Sequence, residues 1–252
     1  MRKKKNPVLE KLEVSSYAAG GKSIARIDGK VVFIEGAVPG DVVDVRLAKN
    51  KKDWAEGKVK YFHTYSPERV NPFCEHFGIC GRCKWQMLPY VKQLQYKQEE
   101  VEHQMKRIGK VDLPEMLPIA GAPLTERYRN KLEFTFSSRK YYTDHEIANM
   151  AKTEDGPRGL PSIPALGFHV PGSFDKAIDI HECHLQAEPS NAIRNELRNY
   201  ALAKNYSFYD IRNHSGLLRN LMIRLCSTGD LMVNLVMAEA DENAVKKVVC
   251  GD

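Results

Sequence analysis

The sequence is short of three things, and each shortage narrows what the protein is. No stretch approaches the about eighteen consecutive apolar residues that a membrane helix needs. The start, Met1-Arg2-Lys3-Lys4-Lys5, leads into Asn6-Pro7 rather than into an apolar secretion signal. A soluble, cytoplasmic protein with no membrane partner is therefore expected. Six cysteines in 252 residues are too few for a disulfide-stapled scaffold, and in a reducing compartment they need another use. A glycine-rich turn for a nucleotide cofactor is also missing: Gly20-Gly21 lies in a strand-rich region, and no Gly-x-Gly follows a buried strand.

What the chain does have is unevenly placed charge. Its formal net charge is +6, with 15 Lys and Arg against 9 Asp and Glu up to Val70, while the remaining 23 basic and 23 acidic residues cancel. An excess confined to one segment favours a polyanionic partner, because covering phosphates releases counterions. Within that segment Val31-Val32-Phe33-Ile34 follows an Asp28-Gly29 turn, Val42 to Leu47 follows Pro39-Gly40, and Val59, Tyr61 and Phe62 mark a last strand. Short strands with turns every eight to twelve residues predict a small closed barrel over residues 1–70.

Ser66-Pro67 and Asn71-Pro72 then punctuate the chain, placing a boundary before a second domain over 71–252. Leu94, Val101, Met105 and Ile108 share one face of an amphipathic helix spanning about 90–110. Alternation at Leu132, Phe134 and Phe136 and at Leu166, Phe168 and Val170 predicts half-buried strands. Asp144 to Pro161 reads as a loop. Pro189 to Asn205 reads as a helix with Ile193, Leu197, Tyr200 and Ala201 on one side, and Ser227-Thr228-Gly229-Asp230 as a hairpin turn. Asp241 opens a further helical pattern through Val249. The second domain is thus expected to be α+β with an antiparallel sheet.

Cys74-x5-Cys80-x2-Cys83 places three thiols within ten residues, and Cys183 is the best fourth ligand. Cys226 and Cys250 lie in or beside apolar stretches and read as core cysteines. His181 and His184 flank Cys183 and are alternative ligands, although polar surface histidines are the simpler reading. Four thiolates suit zinc or a [4Fe–4S] cluster, so ligand type does not choose between them.

Several ordered segments together resemble the iron–sulfur-containing RNA uracil-5-methyltransferases, the family that includes the 23S ribosomal RNA enzymes. Gly36-Ala37-Val38-Pro39-Gly40-Asp41 is similar to the barrel motif of a TRAM domain, an OB-like RNA-binding module. Ser66 to Cys74, Cys80-Gly81-Arg82-Cys83-Lys84-Trp85-Gln86, Tyr90 to Leu94, Tyr128-Arg129-Asn130-Lys131, Gly167-Phe168-His169 and Ile180-His181-Glu182-Cys183 continue the likeness in order. Arg82 departs from it, standing where a second glycine is common. The resemblance implies that Cys74, Cys80, Cys83 and Cys183 hold a [4Fe–4S] cluster. It also implies that the parent enzyme adds a cysteine thiolate to C6 of a flipped-out uracil and methylates C5 from S-adenosylmethionine.

No catalytic residue and no S-adenosylmethionine-binding residue is assigned in this chain, because neither the cofactor turn nor a Ser-Cys-Asn-Pro-like nucleophile loop is found. The chain is therefore expected to be the amino-terminal portion of such an enzyme, lacking the doubly wound methyltransferase domain and inactive alone. RNA, chiefly ribosomal, is the expected partner. Lys49, Lys51, Lys52 and Trp54 form one candidate contact group, and Arg129, Lys131, Arg219 and Arg224 another. Tyr61 is a further candidate for base stacking, while Phe33 is expected in the core. No protein partner is inferred; the 90–110 helix stripe is expected to dock on the absent methyltransferase domain and, left exposed, to let the fragment self-associate. The rival reading is a stand-alone RNA-binding iron–sulfur or zinc module without catalysis.

Overall fold

A computed structural model describes residues 6–150 and 160–238. The chain divides into two compact units. One takes in the residues up to Gly78 together with Cys83–Pro123; the other joins Ile79–Arg82 to the residues from Leu124 onward.

In the first unit, β1 (Val8–Ala18), β2 (Lys22–Ile27), β3 (Lys30–Glu35), β4 (Val42–Asn50) and β5 (Trp54–Thr64) close a barrel in the order β1-β2-β3-β5-β4. Neighbours are antiparallel except β3 and β5, which run parallel. Strand alternation sends Leu12, Val14, Val32, Ile34, Val43, Val45 and Leu47 into one apolar core. The β2–β3 turn has Asp28 and Gly29 at φ of 48° and 76°, the left-handed pair that a two-residue hairpin requires. Phe33 is not in that core. Lying between the buried Val32 and Ile34, it points outward by strand periodicity and meets Trp54 edge-on, with centroids 6.4 Å apart.

The Gly36–Asp41 loop is held by one fully buried carboxylate. Asp41 accepts hydrogen bonds from the backbone N–H of Val38 (2.7 Å) and Ser66 (2.9 Å) and from Arg69 Nε (2.8 Å) and Nη2 (2.6 Å). A carboxylate taken out of water is tolerable only when its lone pairs are filled and its charge is paired. Asp41 meets both conditions.

Beyond the barrel, α1 (Tyr90–Gln104) runs into a wider turn at Met105–Gly109 that ends on the left-handed Lys110. Sequence reasoning grouped this helix with the second domain, whereas it belongs to the first unit. Tyr96 packs at a tilt against Tyr17, with centroids 4.1 Å apart, and Gln93 donates to the carbonyls of Trp85 and Leu88. Leu94 is half-buried, while Val101, Met105 and Ile108 are exposed, Ile108 to 80%.

The second unit carries a five-stranded antiparallel sheet in the order β10-β9-β6-β7-β8. Its strands are β6 (Lys131–Ser137), β7 (Ala165–His169), β8 (Ala177–Asp179), β9 (Leu218–Leu225) and β10 (Leu231–Met237). Leu132, Phe134, Phe136, Leu221 and Ile223 are buried. β7 is buried through Phe168 instead of alternating, because it lies inside the sheet between β6 and β8. Asp144–Met150 forms α2 where a loop is expected. The missed signal is a capping box: Thr143 Oγ1 accepts from Glu146 N–H, and the Glu146 carboxylate accepts from Thr143 N–H. α3 (Ser190–Ala203) buries Asn191, Arg194, Arg198 and Ala201; Ile193, Leu197 and Tyr200 are only half-buried. The segment from Asp241 to Val249, and Cys250, lie outside the described residues.

Candidate nucleic-acid interface and thiol site

The first candidate contact group sits where β4 turns into β5. Lys51 and Lys52 are exposed at the turn, closed by the hydrogen bond from Lys51 N–H to the Trp54 carbonyl (2.8 Å). Lys49 is exposed and pairs with Glu56 (3.4 Å), which also takes Lys22 (2.9 Å); the Lys22 hydrogen bond chiefly holds the Glu56 carboxyl below its usual range. Trp54 is half-buried with Phe33 beside it, so the tip presents lysines next to a tryptophan–phenylalanine pair. Tyr61 is exposed further along β5, edge-on to His63 at 4.9 Å.

The second group is divided by the sheet register. Lys131 on β6 lies directly across from Arg224 on β9, and both are exposed. Like charges opposite one another are destabilising unless an anion sits between them. Arg129 is exposed just ahead of β6, its N–H donated to the Leu185 carbonyl (2.8 Å). Arg219, five residues from Arg224 along the strand, instead covers the ring of Tyr209 at 4.9 Å. The structure therefore groups Arg129, Lys131 and Arg224 and sets Arg219 apart.

Of the cysteines, Cys74 and Cys83 fall in the first unit and are half-buried, whereas Cys80 and Cys183 fall in the second and are buried. Cys226 is exposed at the β9–β10 turn, not in the core, because its backbone closes the Ser227–Asp230 hairpin. Among the described residues no three His, Cys, Asp or Glu side chains are gathered as for a metal ion.

The loop carrying Cys183 is strongly organised. Its backbone N–H donates to Asn191 Oδ1 (2.9 Å). Arg194, fully buried, donates to the carbonyls of Ile180 (2.9 Å) and His181 (2.5 Å) and to Asn191 Oδ1 (2.9 Å). Burial pushes the Arg194 guanidinium down to about 10, and the Cys183 sulfur beside it works in the opposite direction. Arg198 adds a bond to His181 Nδ1 (2.9 Å) and an ion pair to Asp179 (3.2 Å). His184 lies 3.8 Å from Glu126 and 3.7 Å from Glu182. Sequence reasoning missed Arg194 and Arg198. The spacing of Asn191, Arg194 and Arg198 does place them on one helical face, but a polar stripe reads as solvated until its partners are known.

Thiolates are the donors that both zinc and iron–sulfur clusters accept, so the chemistry of these cysteines fits either group.

Residues 12–60 match the model of the TRAM domain. Proteins named uncharacterized RNA methyltransferase are similar to the chain. One from Bacteroides thetaiotaomicron is 46% identical over 229 residues, covering 91% of this chain and 49% of that protein. One from Porphyromonas gingivalis is 44% identical over 232 residues, with the same coverage of 91% and 49%. A third, from Chlorobaculum tepidum, is 35% identical over 245 residues. The chain spans about half the length of the curated relatives it matches. The crystal structure of the Pyrococcus abyssi tRNA (uracil-54, C5)-methyltransferase in complex with S-adenosyl-L-homocysteine superposes with a TM-score of 0.60 at 21% identity, covering 95% of this chain and 48% of that one.

These likenesses correct two expectations. A fold class defined by the absence of the methyltransferase fold does not stand, since 95% of the chain superposes on a methyltransferase: over the matched length the chain has that fold. The [4Fe–4S] site included in that fold class is not displayed among the described residues. Nor does the expectation of an inactive chain stand, because the relatives aligned along 91% of it are named RNA methyltransferases. Both expectations rested on a missing glycine-rich turn and a missing Ser-Cys-Asn-Pro-like loop, and neither absence measures what the aligned residues do.

Proposed function

We propose that this chain serves an S-adenosylmethionine-dependent RNA (uracil-C5)-methyltransferase acting on 23S ribosomal RNA. The observation that carries the reading is the likeness to a uracil-5-methyltransferase along 95% of the chain, joined to an RNA-type barrel at residues 12–60. The Lys51–Trp54 tip and the Arg129, Lys131 and Arg224 group hold RNA phosphates, and Trp54 offers a stacking face. Unlike a base-reading helix, such a surface positions the strand and leaves the choice of uridine to RNA shape.

Cys74, Cys80, Cys83 and Cys183 would hold a [4Fe–4S] cluster. Methyl transfer to uracil needs no electron from it. Asn191 and Arg194 fix the Cys183 loop, and Arg194 places positive charge beside the sulfur.

Incubation of the native protein with methyl-labelled S-adenosylmethionine and 23S ribosomal or transfer RNA transcripts tests the reaction. Labelled 5-methyluridine in the ribosomal transcript is expected; label in transfer RNA alone would refute the substrate, and no label in either would refute the activity. Anaerobic purification should give about four irons and four acid-labile sulfides per chain. One zinc and no sulfide would refute the cluster.

A further inference from the structure

A cleft of ≈ 470 Å³ opens in the second unit between the Ile79–Arg82 segment and the turn after β7, lined by Cys80, Arg82, His169, Pro171 and Phe174 among others. This volume lies within the range of about 300–1,000 Å³ common for small-ligand sites. Its two walls meet through Gly81, at φ 71°, where a Cβ would stand 2.3 Å from Pro171 Cγ. No other residue allows so close an approach.

Two features of the cleft indicate what it could bind. Phe174 leaves its ring 63% exposed at the rim, with the Arg212 guanidinium 5.2 Å from its centroid. Arg212 is itself fixed by Asp175 Oδ2 at 2.6 Å. On the facing wall Arg82 is exposed, its guanidinium 4.5 Å from the ring of Phe168. Phe168 in turn stacks on Phe134 at 5.0 Å, and Arg194 lies 5.0 Å from that second ring. Arg82 is thus oriented from below by the unit's aromatic core. An exposed phenyl and a positioned guanidinium across a cleft this size match a base face and a phosphate. A groove for an apolar peptide would not place a guanidinium on its wall opposite the exposed ring.

We propose that this cleft receives one unstacked nucleotide of the bound RNA, with its base on Phe174 and its phosphate on Arg82. The assignment rests on the reading of the protein as RNA-modifying. It gives Arg82, which stands where the resembled family commonly has a glycine, a role in holding the strand.

Equilibrium binding of a single-stranded RNA oligonucleotide to the native protein and to Phe174→Ala, Phe174→Trp and Arg82→Gln variants tests it. Phe174→Ala should weaken binding about tenfold, with Phe174→Trp restoring it. Arg82→Gln should lower the slope of log affinity against log salt by about one. If RNA binds tightly to the unaltered protein and both Phe174→Ala and Arg82→Gln bind equally well, the cleft assignment falls alone. Phe174→Trp as weak as Phe174→Ala would also overturn it, since the loss would not be one of stacking. Failure of the unaltered protein to bind RNA would overturn the cleft and the RNA reading together.

Discussion

Each unit pins a functional loop with one fully buried ion, but the ions have opposite signs. In the barrel, Asp41 gathers donors: two backbone N–H groups and the Arg69 guanidinium. In the second unit, Arg194 gathers acceptors: the carbonyls of Ile180 and His181 and the Asn191 amide oxygen. The carboxylate is electrically closed, because a guanidinium is among its partners. The guanidinium instead hydrogen-bonds neutral oxygens, and its charge is offset by Cys183, Asp179 and Glu188 nearby. The first lock is therefore a device for stability alone. On the proposed cluster reading, the second also sets positive charge near the Cys183 loop.

Substitutions separate the two locks. Asp41→Ala leaves Arg69 and two amides without their partner, and denaturant unfolding should show a loss of about 3–5 kcal/mol. A loss under about 1 kcal/mol would mean that water replaces the carboxylate and that no lock exists. Arg194→Met keeps length and removes the donors, costing about 3 kcal/mol from the stranded carbonyls and lowering the iron content of anaerobically purified protein. Equal iron in the variant and the unaltered protein would erase the distinction between the locks.

The same comparison shows what could be read from sequence. The strand runs at Val31–Ile34, Val42–Leu47, Leu132–Phe136 and Leu221–Leu225 were legible because a period of two repeats within a few residues. Asp41 and Arg69 were visible only as members of motifs 28 positions apart, and their bond is long-range. Arg194 was illegible for a stronger reason: an arginine on an amphipathic helix is ordinarily solvated, and only the carbonyls of a preceding loop reverse that. Phe33 misled because an apolar run does not say which alternate residue faces inward. Cys226 misled because an apolar neighbourhood in sequence becomes a hairpin end in space.

Smaller effects sharpen the contrast between scaffold and surface. Gly81→Ala should cost about 2 kcal/mol through its left-handed backbone and the Pro171 clash, and should distort the cleft without touching the barrel; a neutral result would show that the walls are free to part. Lys51→Ala and Lys52→Ala should leave the unfolding midpoint unchanged while each lowers the salt slope of RNA affinity by about one. Unaltered slopes would remove the barrel tip from the interface.

The smallest effect is at Asp175. A hydrogen bond from Arg212 holds its carboxyl below the usual carboxylate range. A folded-state value below the unfolded one means a contribution fully present above about pH 4 and lost as pH falls through the folded value. Because Arg212 is half exposed, that contribution should be under about 1 kcal/mol. In acid titrations of stability, Arg212→Gln should flatten the fall below about pH 4; an unchanged curve would show that the pair is silent.

The account as a whole is tested most directly in the cell. Nucleoside mapping of RNA from a strain lacking the gene, against the same strain with the gene restored, measures whether 5-methyluridine is lost and where. Loss at one 23S ribosomal position, regained on complementation, is the predicted result. An unchanged 5-methyluridine map in both ribosomal and transfer RNA would contradict it.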